Sequence, residues 1–167
     1  RLEVIVHLLH RTGARIGELL GLLLSDVNQE DRKFQVIGKG NKQRWCFYSQ
    51  DTEEVLKKYI KYYRHTNSPA LFTAQKQFSN LVTRVSYEAV HADWLKITSS
   101  CEELKDARLH DLRHTFATER VGLMGIEELR ALMGHSSIQT TLRYQKVTSA
   151  RAEEVAKKAL NILTLNT

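Results

Sequence analysis

The sequence predicts a mainly α-helical domain with a small antiparallel β-sheet, an α+β arrangement. Apolar residues recur at helical spacing through most of the chain, whereas apolar and polar residues alternate between residues 31 and 48. The 167 residues suffice for one domain with a packed core, and Pro69 is the single proline, which leaves long helices open elsewhere. We therefore expect one domain over residues 1–167.

The first two predicted helices occupy the start of the chain. Residues 2–11 carry apolar side chains at helical spacing, and Thr12 and Gly13 end that pattern. A second helix is predicted to begin near Arg15, with these side chains on its apolar face: Ile16, Leu19, Leu20 and Leu23. Because the helical pattern is already present at Arg1, we interpret the chain as a fragment of a longer protein.

The period of the pattern changes between residues 31 and 48, where a β-hairpin is predicted. Two pairs of apolar residues alternate with their neighbours there: Phe34 with Val36, and Trp45 with Phe47. Residues 38–41 between them read GKGN, the composition that a tight connection needs. We expect two antiparallel strands with basic residues at the tip of their turn.

The remainder of the chain is predicted to be helical. Further helices are expected over residues 51–63, 75–99, 109–121, 126–133, 140–145 and 149–163, the second of these as one helix or two. Gly134 occupies the position of a glycine that ends a helix. The last helix carries an apolar stripe that either packs on its own domain or docks on a neighbouring subunit.

Charge and composition restrict the function classes. The formal net charge of +6 favours a polyanionic partner, because each phosphate neutralised by Lys or Arg releases counterions. Cys46 and Cys101 lack metal-ligand spacing, which indicates a reducing compartment without a disulfide framework. Residues 19–24 form the longest apolar run, too short for a bilayer, and no signal-peptide pattern opens the chain. We expect a cytoplasmic protein with no membrane partner.

Two short motifs contain a candidate phosphate ligand and a candidate acid. Residues 12–19 favour a junction between two helices with Arg15 exposed. The helix dipole disfavours a cation at a helix start, but a bound phosphate would reverse this preference. Residues 38–44 favour a solvated hairpin tip, although Lys39 on such a loop can protonate a leaving-group oxygen. Each of these motifs is weak when it is taken alone.

Two longer motifs carry more specific chemistry. His110 and Arg113 lie three residues apart, so one helix face presents an imidazole together with a guanidinium. His114 on the same helix fits a structural role. His135 follows a predicted helix end, and Tyr144 lies among polar residues, whereas the other tyrosines fit packed aromatic positions.

These residue types together are those needed for phosphoryl transfer on DNA. Arginines can bind the non-bridging oxygens of a phosphodiester, and histidines can donate hydrogen bonds or move protons. A lysine can protonate the departing sugar oxygen, and a tyrosine can attack phosphorus. The sequence shows no carboxylate cluster of the kind that metal-dependent nucleases use, so we expect neither a metal nor another cofactor.

In this order, the motifs resemble the tyrosine recombinase (phage integrase) family over nearly the whole chain. The resemblance is most specific at residues 110–118 and 132–144. It implies a tyrosine recombinase catalytic domain that forms a 3′-phosphotyrosyl link with DNA and needs no ATP. The implied catalytic set is Arg15, Lys39, His110, Arg113, His135 and Tyr144.

The resemblance also implies a role for each member of this set. The two arginines bind the phosphate, and Tyr144 attacks it. Lys39 acts as general acid, His110 takes part in proton transfer, and His135 donates a hydrogen bond to the scissile phosphate. Supporting roles are implied for Glu18 and Asp26, and contacts to DNA are expected from these basic residues: Lys42, Arg44 and Arg143.

The partners implied by the resemblance are double-stranded DNA and further copies of the chain. Family members assemble as a tetramer on DNA with exchange of the C-terminal helix, in some cases with accessory DNA-bending proteins, and the expected location is the nucleoid. They usually carry an N-terminal helical domain that completes a clamp around DNA. We expect that domain to be absent from this fragment, which should bind DNA weakly.

Alternative functions remain open at the level of sequence. The same fold without activity would be a DNA-binding module, although the complete set of functional groups argues against loss of activity. A type IB topoisomerase uses similar chemistry on a related fold, but the pair Gly134 and His135 and the small size favour a recombinase. Integrases, transposases and recombinases that resolve chromosome dimers are not separated by these residues.

Overall fold

A computed structural model describes residues 1–38, 40–76, 79–145, 153–158 and 160–161. It confirms the predicted mainly helical α+β fold with small antiparallel sheets. The helices are α1 (Leu2–Thr12), α2 (Ile16–Gly21), α3 (Gln50–Tyr62), α4 (Tyr87–Thr98), α5 (Leu109–Arg120), α6 (Ile126–Met133) and α7 (Ile138–Leu142). The strands are β1 (Val27–Asn28), β2 (Lys33–Ile37), β3 (Gln43–Phe47), β4 (Thr73–Gln75) and β5 (Val82–Arg84).

Helix α1 lies at the centre of the core and packs against α3 and α5. It ends at Gly13, which adopts φ 63°, a left-handed conformation that glycine reaches without a steric penalty. A Cβ at this position would lie 2.4 Å from a ring carbon of Phe116 in α5. The glycine therefore permits both the sharp end of α1 and the close approach of α5.

The predicted hairpin is confirmed and extends to a three-stranded antiparallel sheet in the order β1-β2-β3. Ile37 pairs with Gln43 as the last pair of the two strands, so the connection lies between these two residues. Phe34, Val36 and Cys46 face the core, whereas Trp45 and Phe47 are largely exposed. On β3 the buried face is thus the one that carries Cys46.

The prediction that residues 75–99 are helical throughout is wrong for its first part. Strands β4 and β5 pair there, with Thr73 opposite Arg84, and α4 follows them. The backbone N–H of Val85 donates to the carbonyl of Phe72, and both side chains are buried. Burial of these two side chains stabilises the paired strands, although the spacing of apolar residues in the sequence had indicated a helix.

The second predicted helix also ends earlier than expected, because α2 stops at Gly21. The chain from Leu22 to Leu24 leaves the helix and pairs with the segment from Pro69 to Leu71. The N–H of Leu71 donates to the carbonyl of Leu22, and the N–H of Leu24 donates to the carbonyl of Pro69. Helix α7 covers residues 138–142, which places Arg143 just after its end.

Buried side chains form a main core and a smaller second cluster. The main core joins α1, α2, the three-stranded sheet, α3 and α4. The second cluster lies between α5 and α6 and consists of Phe116, Ala117, Leu129 and Met133, with Tyr144 packed against it. Among the helices that the structure describes, none is both long and apolar enough to cross a membrane.

Candidate active site

The candidate site is an open cleft of about 470 Å³ between α5, α6 and α7. It is lined by Arg15, His110, Arg113, His114, His135, Thr140, Arg143 and Tyr144. The structure thus brings together five of the six residues that the sequence predicted as catalytic. Lys39, the sixth, lies outside the described residues.

Arg113 is the most deeply buried charged residue of the cleft, with 3% of its surface exposed. Its guanidinium donates to the carbonyl of Gly13 at the end of α1 and to that of Met133 at the end of α6, the latter at 2.5 Å. Carbonyls at helix ends lack partners within their own helix and carry the negative end of the helix dipole. Burial, and then the charges of Arg15 and Arg44, lower the pKa of Arg113 to about 10, so it stays protonated at neutral pH.

Arg15 lies immediately before α2, and its side chain is 39% exposed. Its backbone N–H donates to Glu18 Oε2 at 2.8 Å, and its Nη1 donates to Glu18 Oε1 at 2.9 Å. Its Nη2 donates to the carbonyl of Gly134 at 3.3 Å. The guanidinium is therefore oriented by both partners while it remains accessible to an anion in the cleft.

Glu18 joins the two arginines that flank it. Arg44 Nη1 and Nη2 donate to its two carboxylate oxygens at 2.9 and 2.7 Å, in a bidentate geometry. Burial raises the pKa of Glu18, but the hydrogen bonds from the Arg44 side chain and the Arg15 backbone outweigh it and bring the pKa to about 2. Glu18 is thus ionised at neutral pH, and its supporting role in the reaction stays a prediction.

Arg44 does not stand out toward solvent as a contact to DNA would. Its side chain is 10% exposed, and besides Glu18 it donates from Nε to the carbonyl of Leu132 at 2.9 Å. The structure therefore gives Arg44 a bridging position between β3, Glu18 and the end of α6. A direct contact between Arg44 and DNA stays a prediction.

The C-terminal end of α6 gathers three guanidinium groups. The consecutive carbonyls of residues 132–134 accept hydrogen bonds from Arg44, Arg113 and Arg15 respectively. The partial negative charge at this helix end offsets the repulsion between the three cations. Because His135 follows directly, the same helix end also sets the position of this histidine.

His135 is held by a hydrogen bond between its Nδ1 and Thr141 Oγ1, 2.9 Å apart. Thr141 is completely buried in α7, so the ring has a fixed partner. Burial, and then the charges of Arg113 and Arg15, lower the pKa of His135 to about 4. This imidazole is therefore neutral at neutral pH and can act through a hydrogen bond rather than through charge.

Tyr144 Oη lies 2.6 Å from Nδ1 of His114. The rings of His114 and His110 meet edge-on, with their centroids 4.8 Å apart. The sequence analysis assigned His114 a structural role, and this contact with Tyr144 is a feature that it missed. The spacing in the sequence could have indicated a position for His114 near the site, because His114 follows His110 by four residues and shares its helix face.

The other predicted residues differ in their position. Arg143 is exposed and lines the cleft, and Lys42 is exposed beside the hairpin turn. Asp26 lies in a short turn after α2, where its carboxylate accepts from the backbone N–H of Leu23 at 2.7 Å, and it does not line the cleft. Within the described ranges, no group of three or more His, Cys, Asp or Glu side chains could hold a metal ion.

Solved structures of recombinases share this fold. The XerA recombinase matches 95% of this chain at 28% identity with a TM-score of 0.73, and the match covers 58% of that protein. The XerH recombinase, solved on its difH substrate in a pre-cleavage complex, matches 93% at 22% identity with a TM-score of 0.73 and is covered over 45%. The fold is that of a tyrosine recombinase catalytic domain.

Residues 1–151 match the model of the phage integrase family, and the chain belongs to this family. The tyrosine recombinase XerD of Corynebacterium glutamicum is 31% identical over 161 residues, which cover 94% of this chain and 52% of that protein. The chain thus spans about half the length of this curated relative. These findings confirm the resemblance that the sequence motifs showed.

Proposed function

We propose that the protein containing this chain is a site-specific DNA recombinase that cuts and rejoins strands through a 3′-phosphotyrosyl bond to Tyr144. The observation that carries this proposal is the cleft itself. Residues from the start of α2, from α5, from the end of α6 and from the end of α7 meet there around a space of about 470 Å³. Such a space accommodates a backbone phosphate between two arginines and a phenol.

In this proposal Arg15 and Arg113 bind the non-bridging oxygens of the scissile phosphate. Both guanidinium groups are oriented by carbonyls at the end of α6 before any ligand binds. Donors that are already oriented stabilise the charge of the transition state without a cost for reorganisation. The neutral His135, held by Thr141, donates a further hydrogen bond to the phosphate.

Strand cleavage then needs a nucleophile, a leaving group and proton transfer. Tyr144 supplies the phenol oxygen, and Lys39 protonates the departing 5′ oxygen, as the family resemblance implies. His110 lines the same cleft and takes part in proton transfer. In this proposal the arginines stabilise the transition-state charge without a metal ion. The reaction needs no ATP, because the phosphotyrosyl bond conserves the energy of the phosphodiester.

Double-stranded DNA is the proposed substrate, and the nucleoid is the proposed location in the cytoplasm. The net charge of +6 supports a polyanionic partner. Arg143 adds an exposed cation to the cleft, and Lys42 is exposed beside the hairpin turn. The relatives are named recombinases, and the XerH structure holds its DNA substrate. The chain would act as the single catalytic domain of a protein with a further, N-terminal DNA-binding domain.

The test is a covalent trapping assay with the full-length protein. A pool of end-labelled, nicked duplexes with a randomised central segment is incubated with protein in EDTA, and SDS-resistant adducts are selected, amplified and sequenced. Wild-type protein and a Tyr62→Phe control, altered at an exposed tyrosine outside the cleft, should form the adduct. Tyr144→Phe should not form it.

Two outcomes would contradict the proposal. An adduct in Tyr144→Phe would exclude this residue as the nucleophile. Sequence-selective binding by the wild-type protein without any adduct would identify an inactive DNA-binding module instead.

Assembly as a tetramer on DNA with exchange of the C-terminal helix is a further part of the proposal. Within the predicted helix over residues 149–163, the structure describes residues 153–158 and 160–161 as helical, and Val155 and Leu160 are exposed there. Deletion of residues 149–167 should reduce the DNA-bound assembly in size-exclusion chromatography. An unchanged assembly would rule out helix exchange, and the same assay with added accessory DNA-bending proteins tests their contribution.

A further inference from the structure

We propose that His114 is the group that accepts the phenol proton of Tyr144 when this residue attacks phosphorus. The proposal rests on the proposed function and adds a catalytic residue to it. Its basis is the distance of 2.6 Å between Nδ1 of His114 and Oη of Tyr144. This distance is within the hydrogen-bond range that proton transfer to a general base requires.

Both members of this pair are held in place by the fold. His114 lies inside α5, directly after Arg113, whose guanidinium ties the same helix to the ends of α1 and α6. The ring of Tyr144 packs against the second core cluster, and its backbone N–H donates to the carbonyl of Thr141 at 3.0 Å. The phosphate-binding arginine and the proton acceptor are thus neighbours on one rigid helix.

The other histidines of the cleft are engaged differently. The Nδ1 atom of His135 is hydrogen-bonded to Thr141, and His110 contacts the ring of His114 edge-on. Burial, and then the charge of His114, lower the pKa of His110. This shift favours the neutral form of His110, which does not repel an imidazolium on His114.

The proposed step balances as follows. An electron pair of Tyr144 Oη forms the bond to phosphorus, and the phenol proton moves to Nδ1 of His114. The bond between phosphorus and the 5′ oxygen breaks, and that oxygen leaves with the electron pair and takes a proton from the general acid, Lys39. In the rejoining step a 5′ hydroxyl attacks phosphorus and gives its proton back to Lys39. The bond between phosphorus and Tyr144 Oη breaks, and His114 returns its proton to the departing Tyr144 oxygen.

A base at this position has a large effect because a protonated phenol is a weak nucleophile. General base catalysis contributes roughly 10²- to 10⁴-fold to a reaction rate. His114→Ala removes both the hydrogen bond and the base. His114→Asn places an amide oxygen near the former Nδ1, so it keeps an acceptor for the Tyr144 hydroxyl but takes up no proton at neutral pH.

The experiment measures single-turnover adduct formation by the full-length protein on a nicked duplex from the selected pool. We expect both His114→Ala and His114→Asn to slow adduct formation about 100-fold or more, with DNA binding in a band-shift assay retained. His91→Asn is the matched control, because His91 stacks on Tyr87 in α4 outside the cleft. Its rate should equal that of the wild-type protein.

A second substrate distinguishes a base for the nucleophile from an acid for the leaving group. The duplex carries sulfur in place of the 5′ bridging oxygen, and a thiolate leaves without protonation. The loss in the His114 variants should be as large on this duplex as on the ordinary one. A loss that disappears on the sulfur substrate assigns His114 to the leaving group and overturns the proposal.

The remaining outcomes are also decisive. A His114→Asn variant at the wild-type rate, with His114→Ala slowed, shows that the residue only positions Tyr144. Wild-type rates in both variants exclude any role of His114 in the reaction. These results leave the proposed function intact, whereas a wild-type protein that forms no adduct overturns the proposed function and this proposal together.

Discussion

Replacement of Glu18 by glutamine should destabilise the domain through the two arginines that its carboxylate joins. The carboxylate accepts from the backbone and side chain of Arg15 and from both terminal nitrogens of Arg44. Glutamine has nearly the same size, but it lacks the negative charge, and its NH₂ group would face guanidinium donors. Arg44 would then keep its charge in a position where its side chain is only 10% exposed.

Two estimates give a similar magnitude for this loss. The fold lowers the pKa of Glu18 from 4.5 to about 2, and this difference corresponds to about 3 kcal/mol in favour of the ionised form. Removal of one partner from a buried ion pair costs about 3–5 kcal/mol. The side chains of Glu18 and Arg44 are 8% and 10% exposed, so solvent screens the pair weakly. We expect a loss of about 3 kcal/mol at neutral pH.

The assay measures the free energy of unfolding in urea, with tryptophan fluorescence as the probe. It is carried out at neutral pH and at several acidic pH values. Because the pKa of Glu18 is lower in the folded than in the unfolded chain, its contribution is complete above about pH 4.5. It declines as the pH falls toward about 2. The difference between wild-type protein and Glu18→Gln should therefore shrink over this interval.

Glu127→Gln is the matched control, because Glu127 forms an exposed pair with Arg130 at 2.7 Å. Exposed pairs contribute about 0–1 kcal/mol, so this substitution should change stability little. The reasoning is refuted if Glu18→Gln and Glu127→Gln have equal effects. It is also refuted if the effect of Glu18→Gln is independent of pH between 4.5 and 2.

Further predictions concern backbone conformation and histidine protonation. Gly13→Ala should destabilise the domain by about 2–4 kcal/mol in thermal unfolding, because strain at φ 63° adds to overlap with Phe116. Gly40→Ala is the control, because Gly40 has φ 75° but open space around a Cβ. This substitution should lose only the stability that corresponds to the backbone strain. Equal effects of the two substitutions would contradict the close approach of α1 and α5. The His135 ring should titrate near pH 4 in ¹⁵N NMR. Because folding lowers the pKa of this histidine, its contribution to the stability of the domain should be lost as the pH falls from 6.5 through about 4. A titration above pH 6 would contradict this prediction.

Local patterns in the sequence were sufficient for much of the fold. The helical period predicted α1, α3, α5 and α6, and the change to an alternating period predicted the hairpin of β2 and β3. The strands β4 and β5 were missed because they are three residues long and their stability comes from pairing and from burial of Val85. Strand pairing of this kind depends on partners elsewhere in the chain, which a local window does not contain.

The candidate site divides in a similar way. The resemblance of the motifs to the phage integrase family predicted a catalytic set of six residues. The structure places five of them in one cleft: Arg15, His110, Arg113, His135 and Tyr144. The contact between Tyr144 and His114 was not predicted, because the two residues are thirty positions apart and belong to different elements.

The sequence by itself determined the types of residue available for chemistry and the helices and strands that carry them. Only the tertiary structure decided how the charges are held, as Arg113 shows: its acceptors are main-chain carbonyls of Gly13 and Met133, 100 and 20 positions away. Every residue offers the same main-chain carbonyl, so no side-chain pattern marks these acceptors. They become partners of Arg113 because packing of α5 against α1 and α6 brings two helix ends to one guanidinium.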